Sequence, residues 1–187
     1  ELKDVDLSAQ PLDFKLIEQL AGEPLPYPWA GTITGPLIAS GGPLTNFMVD
    51  TSDLVFRDAN VPGAVTIGQL RGRMNIEEPS ELVFNGTNVH LDQLDLRTLQ
   101  FLVPQFPHLN GQIAGSATLD SSWLDVRFQR ADLTHTDGSG PATRMTGAGR
   151  VTFGETTTTY DIAMNALPFS FTTFARAYTD SRIPLKG

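Results

Sequence analysis

The sequence contains no cysteine. That absence removes disulfides, Cys-ligated zinc, iron–sulfur clusters, thiol nucleophiles and thiol redox switches together. It fixes no compartment, because a chain without thiols is at ease in oxidising and reducing surroundings alike. Positive charge is also scarce: 13 Lys and Arg stand against 21 Asp and Glu, a net charge of −8. The densest basic stretch is only Arg71 and Arg73. Phosphate backbones need a basic footprint, so no nucleic-acid partner is expected. A polybasic grip on anionic lipid headgroups is unexpected for the same reason. No run approaches ~18 consecutive apolar residues, the length a bilayer-spanning helix needs. The opening residues, Glu1-Leu2-Lys3-Asp4, have neither the basic start nor the apolar core of a signal peptide, and no initiator Met. This reads as a chain that lost a leader or was cut from something longer.

What is present points to strands. Gly (17) and Pro (13) punctuate the chain at short intervals. Between them lie segments of alternating character. Apolar side chains fall at Ile113, Ala117 and Leu119, against polar Gln112, Ser116 and Thr118. The same rhythm runs through Leu124, Val126 and Phe128, then Met145, Val151 and Phe153, then Tyr160, Ile162 and Met164. A period of two over four to eight residues marks half-buried strands of antiparallel habit. Asn85-Gly86, between Leu82-Val83-Phe84 and Thr87-Asn88-Val89, predicts a two-residue hairpin. It also fits a glycosylation sequon, but the turn explains it equally. Asp137-Gly138-Ser139-Gly140-Pro141 predicts a longer loop, and Gly41-Gly42-Pro43 a further break. Trp123 is expected to open a strand after a turn at Asp120-Ser121-Ser122.

Three segments depart from this rhythm: Leu12–Ala21, Leu94–Val103 and Leu167–Tyr178. Each carries apolar residues at helical spacing, for example Phe14, Ile17 and Leu20, or Leu96, Leu99 and Leu102. They predict short helices that cap a sheet. They also resemble one another. Leu12-Asp13-Phe14 leads through prolines to Gly31-Thr32-Ile33-Thr34-Gly35, and Leu94-Asp95-Leu96 leads through Pro104 and Pro107 to Gly111-Gln112-Ile113-Ala114-Gly115. The third runs from Leu167-Pro168-Phe169 to Pro184-Leu185-Lys186-Gly187. From leading Leu to first Gly the offsets are 19, 17 and 20 residues. The expected organisation is a first helix-plus-strands repeat over 1–92, a second over 93–166, and the start of a truncated third over 167–187. The expected fold is mainly β: repeated antiparallel strands forming a curled, groove-like or sandwich-like sheet with short capping helices.

A short apolar helix, prolines, then Trp29-Ala30-Gly31-Thr32-Ile33-Thr34-Gly35 or Leu109-Asn110-Gly111-Gln112-Ile113-Ala114-Gly115, then alternating strands, resembles the AsmA-like proteins. The large TamB-type members are nearest in character, and the likeness covers nearly the whole chain. The resemblance implies a membrane-anchored protein extending through the periplasm of a Gram-negative-type bacterium. It implies a long curled sheet, open along one side, whose apolar inner face serves phospholipid movement or outer-membrane assembly. It brings no catalytic residue. The candidate groove comprises Ile33, Leu37, Ile113, Ala117, Leu119, Val126, Phe128, Val151, Phe153, Ile162 and Met164. Gly115, Ala117 and Ala148, on or near that face, would leave room for a guest. The same residues would also make an ordinary sandwich core, the commoner fate of half-apolar sheets. Alternation alone does not separate the two.

Chemistry is thinly represented. His90, His108 and His135 share no metal-ligand spacing. No nucleophile elbow or phosphate-binding glycine loop occurs. Asp50, Asp53, Asp120 and Asp125 fit surface strands and turns better than a glycosidase pair. No cofactor and no enzymatic activity are expected. The expected partners are lipid acyl chains, a membrane protein complex that this chain would serve as an accessory or scaffold, or both. Pro26, Tyr27 and Trp29, in a stiff apolar link, are the candidate partner contacts.

Overall fold

The computed structural model describes residues 5–6, 10–22, 24, 29–40, 46–78, 81–102, 106, 108–138, 140–154, 157–170 and 173. In chain order its elements are β1 (Val5–Asp6), β2 (Leu12–Asp13), α1 (Phe14–Ala21), β3 (Gly31–Thr34), β4 (Pro36–Ser40), β5 (Phe47–Thr51) and β6 (Leu54–Asp58). Then follow β7 (Val65–Glu78), β8 (Glu81–Asp95), α2 (Leu96–Leu102), β9 (Gln112–Ser122), β10 (Asp125–Thr136), β11 (Thr143–Phe153) and β12 (Thr158–Leu167). All 12 strands among the described residues belong to one antiparallel sheet, open rather than closed into a barrel.

The sheet is a meander with one branch. β7 through β12 pair in sequence order. The other edge of β7 is shared: its first half pairs with β6 and its second with β5. β3 and β4 flank Gly35, while β5 and β6 flank Ser52-Asp53, so each pair reads as one bent strand.

Both helices begin in the same way. Asp13 caps α1, its carboxylate accepting from the Lys15 N–H at 2.8 Å. Asp95 stands at the start of α2 and accepts from the Arg97 N–H at 3.0 Å. A carboxylate that satisfies an orphan N–H of the first turn stabilises a helix start by about 1 kcal/mol. Gly22 in the left-handed region closes α1, its N–H bonding to the Glu18 carbonyl.

The two Gly-x-x-x-Gly strands share a backbone device. Gly31 and Gly35 adopt φ of 141° and 123°, and Gly111 and Gly115 adopt 100° and 132°. A Cβ on Gly31, Gly111 or Gly115 would sit 2.1 Å from a carbonyl oxygen of the neighbouring strand. Opposite Gly35 stands Asp53, a non-glycine residue in the left-handed region at φ 52°; Arg130, at φ 50°, stands in the β10 bulge opposite Ala117, two residues along β9 from Gly115. The β9–β10 register shifts by one residue between Gln129 and Asp132. A bulge bends its strand, and a glycine close by lets the neighbouring backbone follow.

Register also places the helices. Gly31 pairs with Asp58, Arg57 with Val65, Asp95 with Gln112, His135 with Thr143 and Arg144 with Leu167. α1, α2 and the end of β12 therefore lie along one rim of the sheet, and the hairpins after β7, β9 and β11 along the other. Four strands separate α1 from α2, and four more separate α2 from the end of β12. At the usual strand spacing that is a period of about 19 Å.

Several local expectations change. Asn85-Gly86 forms no hairpin: it lies inside β8, where Gly86 at φ 64° makes a bulge and its N–H bonds to the Asp120 carboxylate. An Asn-Gly pair supplies the left-handed backbone that bulge and turn both need. Trp123 opens no strand, because Ser121 and Ser122 complete β9 and the turn is Trp123-Leu124. The helices start two residues later than expected, since Leu12-Asp13 and Leu94-Asp95 are the last strand pairs. Gly41-Gly42-Pro43 and most of the third helical segment lie outside the described residues.

Candidate functional site

Residues paired across neighbouring antiparallel strands share a face of the sheet. Following the register from strand to strand therefore sorts the chain into two faces. Ile33 pairs with Phe56, and Leu37 with Thr51. Val49 pairs with Gly72, and Met74 with Phe84. Val89 pairs with Ala117, Leu119 with Phe128, Val126 with Val151, Gly149 with Ile162 and Gly147 with Met164. Ile113 pairs with His135, and Phe153 with Thr158. All eleven candidate groove residues lie on one face, which runs from β1 to β12.

Two details differ from expectation. Ala148 pairs with Ala163 and lies on the opposite face, because it sits one position off the parity of Gly147 and Gly149. Gly115 lies on the apolar face, but the space above its Cα is filled by the Asp132 carbonyl of β10. Gly149 is likewise covered, by the Phe128 ring. The same face carries Phe56, Val49, Met74, Phe84, Val89, Leu91 and Leu133, which simple alternation did not select, and Met145, which shares the parity of Val151 and Phe153. Bulges near Gly86, Asp92 and Arg130 reverse the parity within β8 and β10 and hide Phe84, Val89, Leu91 and Leu133.

This face is not sealed. Among the described residues the buried apolar side chains are Val49, Ala64, Met74, Leu96, Leu102 and Ala131. Three of them, Ala64, Leu96 and Leu102, lie off the sheet altogether. Most other side chains of the face are half-buried, and Tyr160 and Ile162 are 63% and 46% exposed. Trp29 stacks on Phe14 at 5.6 Å, and both meet Phe56 edge-on at 5.8 and 5.5 Å. This aromatic cluster fastens α1 to the sheet at the helical rim. Pro26 and Tyr27 lie outside the described residues.

The opposite face is polar and laced with ion pairs. Arg150 forks onto Asp125, with Nε 2.6 Å from Oδ1, and the Thr152 hydroxyl adds a bond at 2.8 Å. Arg144 forks onto Asp132, and Arg97 onto the buried Asp95. Arg150 first, and then Thr152, hold the Asp125 carboxyl down at about 2. Arg144 lowers Asp132, and the Arg97 hydrogen bonds lower Asp95 against its burial. A carboxylate with a lowered folded value adds stability above its unfolded value of about 3.9. That stability is lost as pH falls toward the folded value. Urea midpoints should thus be insensitive to these groups from neutral pH to about 5, then decline modestly between about pH 4 and 2. Asp125→Asn should flatten part of that acid slope.

One constellation on this face has the composition of a hydrolytic triad. Ser116 Oγ lies 2.7 Å from His90 Nδ1, and His90 Nε2 lies 3.4 Å from Asp92 Oδ1. An acyl-transfer site also needs donors aimed at a developing oxyanion. The N–H groups of β9 around Ser116 run in the sheet plane, into the ladders with β8 and β10. His108 lies exposed in the link to β9, and the buried His135 bonds through Nε2 to the Asn110 carbonyl at 2.7 Å. No group of three or more potential metal ligands occurs among the described residues.

No family model, curated protein or solved structure matches this chain.

Proposed function

We propose that this chain is a non-catalytic segment of an AsmA/TamB-like protein of the periplasm, in which the apolar sheet face shields lipid acyl chains for transfer or outer-membrane assembly. The observation that supports it most is the unsealed face: apolar parity held over the whole sheet while its side chains stay half-exposed. Each CH₂ of an acyl chain moved from water onto such a surface gains about 0.8 kcal/mol. The polar face keeps the same sheet wetted on its other side.

The test is native mass spectrometry of gently extracted protein, with lipid extraction of the same sample. Phospholipid in stoichiometric amount is expected. The double variant Ile162→Lys with Met164→Lys should retain at least tenfold less, because it puts charge on the exposed end of the face. Thr159→Lys, on the polar face of the same strand, should retain as much as the parent. A folded chain free of lipid would overturn the proposal.

A second reading has its own observation. Leu16, Phe101, Leu167 and Phe169, 44%, 42%, 73% and 48% exposed, all lie along the helical rim. Large apolar side chains gathered on one margin favour a protein contact there. On this reading the chain is an accessory or scaffold subunit on the periplasmic side of a membrane complex. It predicts a lipid-free chain that co-purifies with one such complex.

A further inference from the structure

The polar face carries a concavity of about 460 Å³ across β7, β8, β9 and β10. Arg71 and Arg130 stand in its lining, with Asn88, His90, Ser116 and Thr118. Register explains the gathering. Arg71 pairs with Asn88 and Asn88 with Thr118, while His90 pairs with Ser116 in the next row. Arg130 comes from the bulge of β10, where its left-handed backbone breaks the strand's alternation. Bulges of this kind re-aim side chains.

The two guanidiniums differ from the other forked arginines of the sheet. Arg97, Arg144 and Arg150 each close on a carboxylate through two nitrogens. Arg130 has no carboxylate partner among the described residues, and its Nη2 donates to the Thr118 hydroxyl at 3.3 Å. Thr118, itself 7% exposed, donates onward to the Asn88 side-chain oxygen at 3.0 Å. That chain orients the Asn88 amide with its N–H₂ as a further donor. Arg71 meets Asp50 only through Nε at 3.4 Å, with both side chains more than half exposed. Such a surface pair is worth little and yields readily to a better-matched ligand. His90 is engaged by Ser116 and by Asp92.

We propose that this concavity binds a small oxyanion of the phosphate class between Arg71 and Arg130. Planar guanidinium forks match phosphate oxygens in pairs, and the Asn88 amide supplies a neutral donor between them. The site lies on the face opposite the apolar one, so it stands or falls independently of the lipid reading. The phosphate can be free in solution or carried by a lipid headgroup.

The test is titration of the intact chain with inorganic phosphate at fixed chloride, followed by the Arg side-chain N–H resonances, with phosphatidylglycerol vesicles as a parallel arm. Saturable binding that weakens at least tenfold in Arg130→Gln, and also in Arg71→Gln, is expected. Arg127→Gln, an exposed arginine of the same strand outside the concavity, should bind like the parent. Arginine-dependent binding of free phosphate assigns a soluble ligand, and arginine-dependent binding of vesicles assigns a headgroup. Absence of saturable binding in both arms overturns the proposal. So does binding that is equal in both folded variants and the parent.

Discussion

Gly115→Val should cost the sheet at least ~4 kcal/mol, enough to unfold a marginal domain. Two effects add. Gly115 stands at φ 132°, a backbone conformation that side chains with Cβ rarely adopt. A Cβ there would also sit 2.1 Å from the Asp132 carbonyl and 2.8 Å from the Leu133 Cα. Neither is the far end of a flexible side chain, so relief requires β9 and β10 to part. Gly138→Ala is the matched comparison. Its φ of 73° is also left-handed, but nothing lies within 4 Å of the new Cβ. It should cost only ~1 kcal/mol, the left-handed penalty alone. Urea unfolding of the two variants measures the difference. Equal losses would mean that the positive φ, and not the close approach, sets the requirement for glycine.

Leu96→Ala should cost about 2–5 kcal/mol. Leu96 is 0% exposed, the largest fully buried side chain among the described residues. It opens α2, and its N–H reaches the Gly111 carbonyl at 3.1 Å, tying the helix to the start of β9. Truncation removes the buried methyl groups and leaves a cavity where β8 hands over to β9. Alanine's better helix propensity returns only a few tenths of a kcal/mol. Phe101→Ala, on the same helix but at a side chain 42% exposed, should cost well under half as much. Thermal and urea midpoints of both variants check the ranking. A Leu96→Ala loss no larger than the Phe101→Ala loss would show that α2 is held by its backbone tie and not by its buried side chain.

The sequence's two-residue rhythm carried much of the fold. Ile113, Val126, Val151 and Ile162 are placed on one face by parity within their strands, and register joins those faces without exception. The helices were legible because Phe14 and Leu96 begin apolar patterns that alternation cannot produce. The failures cluster where backbone geometry interrupts the count. Asn85-Gly86 looks like a chain reversal, yet long-range pairing to β7 and β9 holds it straight. The polar-face concavity had no local signature at all. Arg71, Asn88, Thr118 and Arg130 come from four strands, and only the bulges fix which residue faces which. A single sequence shows that a strand exists more readily than it shows where a strand slips by one residue.

The branch at β7 gives the sheet an unequal mechanical character. From β8 to β12 each strand is joined to the one before and the one after it, so free energy accumulates link by link. β7 instead ties β5, β6 and β8 together at once. Force or damage applied at β12 can be absorbed by fraying a single strand. The same insult at β7 must release β8 on one edge and both halves of the bent β5–β6 strand on the other, and the two arms beyond it lose their common anchor together. The protein is thus a frayable ribbon on one side of β7 and an all-or-none joint at it.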